Sequence, residues 1–107
     1  MSARYVIDWE LVNPEGPSRS EAVRPAARPA TLAGKTIGLS WNGKPGGREA
    51  LEEMVLLIRE REPSVNFIRF WEAVPESWAV QLRELDDGTI GKMVGLQPDL
   101  VLTAQGD

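Results

Sequence analysis

The stretch best suited to chemistry is "NGKPGG" (Asn42 to Gly47), which stands between a short apolar run and an amphipathic one. Glycines there let backbone N–H groups turn toward a ligand, a following helix directs its positive end to the same place, and Lys44 adds a full charge. Asn42, Gly43, Lys44, Gly46 and Gly47 are therefore the candidate binding residues. The ligand they suit is a small anionic molecule, such as a phosphate, a carboxylate or a dinucleotide. The pattern is neither the six-residue dinucleotide fingerprint nor the P-loop ending in Gly-Lys-Ser/Thr. A tight turn that needs glycine and carries a lysine is thus the competing reading. Glu72 and Glu76 could share acid–base work if a cleft held them together. As carboxylates near a helix start they are also what the helix dipole favours unaided. Trp41, Trp71 and Trp78 read as core or interface anchors ahead of stacking platforms.

What the sequence lacks restricts the chemistry further. It has no Cys and no His. Disulfides, thiolate metal sites and the commonest general base are excluded, no metal ligands are assigned, and the cofactor is unknown. Twelve Lys and Arg stand against sixteen Asp and Glu, for a net charge of −4. No basic run reaches five residues, so nucleic acid is not an expected partner. The longest apolar stretches, Val55 to Ile58 and Leu100 to Ala104, fall far short of the roughly 20 residues that cross a bilayer. "MSARYVIDWE" has no apolar core of a signal peptide. A cytoplasmic chain with no membrane partner is the expectation, and 107 residues allow one modest core.

The elements that must position these residues follow from periodicity. In "YVIDWELV", Ile7, Trp9 and Leu11 alternate with Val6, Asp8 and Glu10, which predicts an extended arm or edge strand over residues 1–12. Residues 13–33 form a proline-rich linker, with Pro14, Pro17, Pro25 and Pro29 among small and polar residues. An α/β domain occupies 34–107. Lys35 to Trp41 reads as a buried strand. From Arg48 a helix places Leu51, Met54, Val55 and Ile58 on one face, and Pro63 closes it. Val65 to Trp71 is a second strand, with Val65, Phe67 and Arg69 on one side and Asn66, Ile68 and Phe70 on the other. Pro75 suits the first turn of a helix carrying Trp78, Leu82 and Leu85. "DDG" interrupts that helix, a further helical piece carries Ile90, Met93 and Val94, and Pro98 introduces a third strand, "DLVLTA".

Strands alternating with helices imply right-handed crossovers into a parallel sheet. The expected fold is a small three-layer α/β sheet, half of a Rossmann- or flavodoxin-like domain and incomplete after the third core strand, since doubly wound domains usually have about five or six. Ligands in such sheets bind beyond the carboxyl ends of the strands, at "NGKPGG", at "EAVPES" and after "LTAQGD". The outer edge of the third strand is a pairing surface unless covered, so a homo- or hetero-oligomer is expected.

"LAGKTIGLSWNGKPGG" (Leu32 to Gly47), the preceding "VNPEG" (Val12 to Gly16) and "PDLVLTAQGD" (Pro98 to Asp107) together resemble the bacterial UGSC-motif selenoprotein-like family. In that family the third strand runs into a Gly-Asp followed by selenocysteine or cysteine and then Gly-Ser-Cys-Thr. The sequence stops at Asp107, the residue before that motif. Because selenocysteine is encoded by UGA, an ordinary reading of the gene would end there. The expectation is an N-terminal part cut at a selenocysteine codon, with redox or nucleophilic chemistry implied for the full-length protein. No catalytic residue is carried over to this chain. Gly106 and Asp107, with the Asn42 to Gly47 loop, are the implied neighbours of the centre. The alternative is a noncatalytic anion- or nucleotide-binding module built on the same loop, and a third reading is a hydrolase using Glu72 or Glu76.

Overall fold

A computed structural model describes residues 12, 14, 16, 22–78 and 84–105. The predicted arm over residues 1–12 therefore lies, apart from Val12, outside the described residues, as do Leu82, Gly106 and Asp107.

Alternation of apolar side chains with small ones makes Thr36–Trp41 a strand, β1, with Ile37 and Leu39 almost fully enclosed. It pairs in parallel with β2 (Asn66–Arg69) on one side and β3 (Leu100–Ala104) on the other, so the order is β2-β1-β3. Ile37 stands opposite Phe67 and Leu100, and Leu39 opposite Arg69 and Leu102. Partners in register share a face. The helix α1 (Gly47–Arg61) covers that face with Leu51 and Val55, and Trp71, Trp41, Ile58 and Leu32 close the same cluster.

On the opposite face Phe70, Val74 and Met93 form a second cluster with Ile68 and Leu85. They come from α2 (Phe70–Ala73), a 3-10 turn at Pro75–Ser77, and α3 (Asp87–Gly95). Two layers of helix thus enclose the three-stranded parallel sheet, an α/β arrangement. Gly38 on the central strand makes room for Phe70: a Cβ there would sit 2.5 Å from one ring carbon. Pro75 does open a helical turn, and Ser77 beside it donates its hydroxyl to the Phe70 carbonyl. The proline-rich stretch has no regular structure over residues 22–29. Its Ala26 to Pro29 part borders β3, with a groove of about 340 Å³ between them.

Three sequence expectations are corrected. Strand β2 ends at Arg69, where its pairing with Leu39 ends, and Phe70 and Trp71 belong to α2. The turn at that point carries Phe70 beneath Gly38, a packing requirement that alternation cannot express. Met54 is 41% exposed rather than in the core. The arc of α1 facing the sheet is Leu51, Val55 and Ile58, and Met54 instead lines a 300 Å³ groove with Leu32 and Leu57. "DDG" forms the start of the helical piece that carries Ile90, Met93 and Val94, not a break before it. Asp86 is its N-cap, accepting a 2.7 Å hydrogen bond from the Thr89 N–H, and Asp87 lies in the first turn.

Arg69 shares the α1 face, as its spacing predicts, and its guanidinium grips both carboxylate oxygens of Glu52, one of them at 3.0 Å. That grip holds the Glu52 carboxyl below its ordinary value of 4.5. Since the folded pKa is the lower one, the stabilisation is complete above the unfolded pKa and is lost as pH falls through the folded one. Both groups are partly exposed, which limits the pair to about 0.5–1 kcal/mol. Glu52→Gln is expected to flatten the fall in stability between about pH 5 and pH 3, read by denaturant melts at each pH. An acid limb identical to that of the parent would refute this.

Candidate functional site

From β1 the chain passes through α1 to β2 on one side, and from β2 it returns across to β3 on the other. The adjacent strands β1 and β3 therefore flank the place where the winding reverses, and open parallel sheets bind ligands at the carboxyl ends of such strands. Two segments meet there: the 42–46 loop after β1, and Gln105 after β3.

Asn42 joins them. Its backbone N–H donates to the Ala104 carbonyl at 3.1 Å, and its side-chain Nδ2 donates to the Gln105 carbonyl at 2.6 Å. The Oδ1 atom accepts from the N–H of Gln105 and from that of Lys44, each at 3.2 Å. One amide side chain thus saturates the backbone of Gln105 and shapes its own loop. Gly43 and Gly46 hold positive φ angles of 85° and 88°, a region that side chains with a Cβ disfavour. Gly46 is the N-cap of α1 with no side-chain cap, and its carbonyl accepts from the Ala50 N–H at 3.0 Å. The first turn of a 15-residue helix therefore opens beside Gln105, whose Oε1 lies 3.7 Å from where a Cβ of Gly46 would stand. The half-buried Lys44 gives its carbonyl to two donors, the Gly47 N–H at 3.3 Å and the Trp41 indole N–H at 2.7 Å.

The tryptophans gather behind this loop. Trp41 stacks on Trp78 with ring centroids 5.5 Å apart, and meets Trp71 edge-on at 6.5 Å. Trp71 is buried, Trp41 is half-buried, and Trp78 is 39% exposed. The Arg48 guanidinium lies 5.7 Å from the Trp41 ring centre.

The loop candidates Asn42, Gly43, Lys44, Gly46 and Gly47 are thus brought together at the end of β3, while Gly106 and Asp107 lie outside the described residues. Glu72 and Glu76 have different surroundings. Glu72 borders a groove with Phe67, Ile68 and Arg69, whereas Glu76 is hydrogen-bonded to Lys92 on α3. The Lys92 ammonium holds the Glu76 carboxyl below its ordinary value, which unsuits it to donate a proton near neutrality. Gln105 and Trp41 are site residues that spacing did not single out as such. The one signal available was the position of Trp41, the last residue of a strand directly before the loop. Among the described residues, no three His, Cys, Asp or Glu side chains gather to hold a metal ion, and no helix is long and apolar enough to cross a membrane.

Fold and site together define a small parallel α/β domain with a glycine-rich strand-to-helix loop at the reversal of its sheet. The chain belongs to the UGSC family, whose profile matches residues 10–107. No curated protein and no solved structure matches it.

Proposed function

We propose that this chain is the supporting N-terminal part of a UGSC-type domain, and that the thiol or selenol of the family motif works as a redox or nucleophilic centre directly after Asp107. The observation that carries this reading is the Asn42 clamp, which fixes Gln105 against the loop that opens α1. A residue following Asp107 is three positions beyond Gln105, so it stays within about 10 Å of it even in a fully extended chain. A thiol near a helix N-terminus has its pKa lowered from about 8.5, in strong cases to about 3.5–7.5, because the thiolate is the form stabilised there. Attack of that thiolate on a peroxide forms the S–O bond and breaks the O–O bond, giving a sulfenic acid and a hydroxide or alkoxide that takes a proton from water. Attack by the second cysteine of the family pattern then forms a disulfide and releases water. Without cysteine the 107 residues supply none of these steps themselves.

The gene gives a first test: a UGA codon after Asp107, followed in frame by Gly-Ser-Cys-Thr, is the expected sequence. The chemical test extends the chain through Cys-Gly-Ser-Ser-Thr, leaving one thiol, and follows its alkylation by iodoacetamide against pH. The expected apparent pKa lies below about 8.5. A thiol that titrates at or above that value would overturn the reading.

A second reading is favoured by the first turn of α1, which has no side-chain cap at Gly46. In it the loop holds an anion and performs no chemistry. Inorganic phosphate or ADP at a hundred times its Kd would then stabilise the 107-residue chain by about 2.7 kcal/mol. Under the first reading neither compound moves the melting temperature.

A further inference from the structure

We infer that Trp41 is the positioning residue of this site: its indole sets the shape of the 42–47 loop and so the direction in which α1 opens toward the end of β3. The inference rests on the reading above, in which a thiol or selenol stands at that end.

Three contacts converge on one ring. The indole N–H donates to the Lys44 carbonyl at 2.7 Å, at the same acceptor that the Gly47 N–H uses to begin the helix. Gly47 itself packs edge-on against the ring, for a Cβ there would stand 2.6 Å from Cδ1 and 2.8 Å from Nε1 of Trp41. The same Cβ would come within 3.4 Å of the Ala104 carbonyl carbon, so the first residue of α1 is wedged between the indole and the end of β3. Arg48, the next residue, brings its guanidinium to 5.7 Å from the ring centre.

The ring has little freedom to yield. Trp78 stacks along it and Trp71, 8% exposed, abuts it. The indole is thus a fixed template held by the core, and the loop is fitted to it. Burial alone would be met by any large apolar side chain, but the bond to Lys44 requires a donor on the ring edge. Among aromatic residues of this size only tryptophan carries an N–H there. Gly47 is required for close approach to that edge. Its role differs from that of Gly46, which is required for backbone conformation.

Trp41→Phe separates the two contributions, since it keeps an aromatic ring against Trp71 and Trp78 and removes the N–H. In the 107-residue chain, backbone amide NMR signals of residues 42–48 and of Gln105 are expected to move, while those of α3 stay in place. Gly47→Ala, which retains the donor and pushes a methyl into the ring, is expected to move the same set. In the chain extended through Cys-Gly-Ser-Ser-Thr, Trp41→Phe is expected to slow alkylation at pH 7 about fivefold and to shift the pH profile upward, the size of a lost helix-terminus interaction. Unmoved loop and Gln105 signals would overturn the inference. So would an unchanged pH profile beside a parent thiol whose pKa is lowered, an outcome that leaves the proposed function standing. A parent thiol of ordinary pKa would instead remove the proposed function, and the NMR signals alone would then decide whether Trp41 positions the loop.

Discussion

Replacing Phe70 by alanine is expected to remove about 3–5 kcal/mol of stability, the range for truncating a large buried aromatic residue. Phe70 is fully enclosed and centres the cluster with Val74 and Met93 that joins α2 and α3 to the sheet. A domain of this size has only about 5–15 kcal/mol in total, so the alanine variant is expected to be largely unfolded at 37 °C. Phe70→Leu keeps enough packing to be measured. Gly38→Ala is expected to cost about 1–3 kcal/mol on its own, because its methyl falls 2.5 and 2.6 Å from two ring carbons of Phe70 and 3.3 Å from Val101. In the Phe70→Leu background the ring is gone and the methyl finds space. Urea melts of the four proteins should therefore show a coupling of at least about 1 kcal/mol, with the second substitution cheaper in the presence of the first. Additive losses would mean that Gly38 and Phe70 do not compete for the same volume.

That pair also marks where the sequence was legible and where it stopped. The strands around Ile37–Leu39 and Leu100–Ala104 follow from short apolar runs bounded by breakers, and the helix through Leu51, Val55 and Ile58 follows from its period, since it buries one face against the sheet. Phe70 could not be read that way. Counted by alternation it belongs to a strand, yet its burial depends on the missing side chain of Gly38, distant in sequence and adjacent only in the fold. Asp86 was ambiguous for a local reason: an aspartate at the head of Asp-Asp-Gly suits a turn and an N-cap equally, and only the Thr89 N–H decides between them. At the site, the glycines named the loop because their conformational demand is local. The partners of that loop are not local, since Gln105 lies 63 residues from Asn42 and no spacing rule connects them.

Asn42→Asp is therefore the substitution with the largest expected effect on function. The carboxylate can still accept from the N–H groups of Gln105 and Lys44, but it has no hydrogen to give the Gln105 carbonyl, which the amide now holds at 2.6 Å. An attractive contact becomes a repulsive one, and a negative charge stands beside the place where a thiolate is to form. Both changes disfavour the anion, so the thiol pKa in the extended chain is expected to rise to about 8.5 or beyond, with alkylation at pH 7 falling by about tenfold. Asn42→Ala removes the clamp without adding charge. Its pKa is expected to lie between those of the parent and the aspartate variant, while its stability falls by about 1–2 kcal/mol for the lost, partly exposed hydrogen bonds. The order matters more than either value. If the alanine variant loses stability and the thiol titrates as in the parent, the clamp serves only the fold. If all three proteins share a lowered pKa, the stabilisation of the thiolate does not depend on holding Gln105 to the loop.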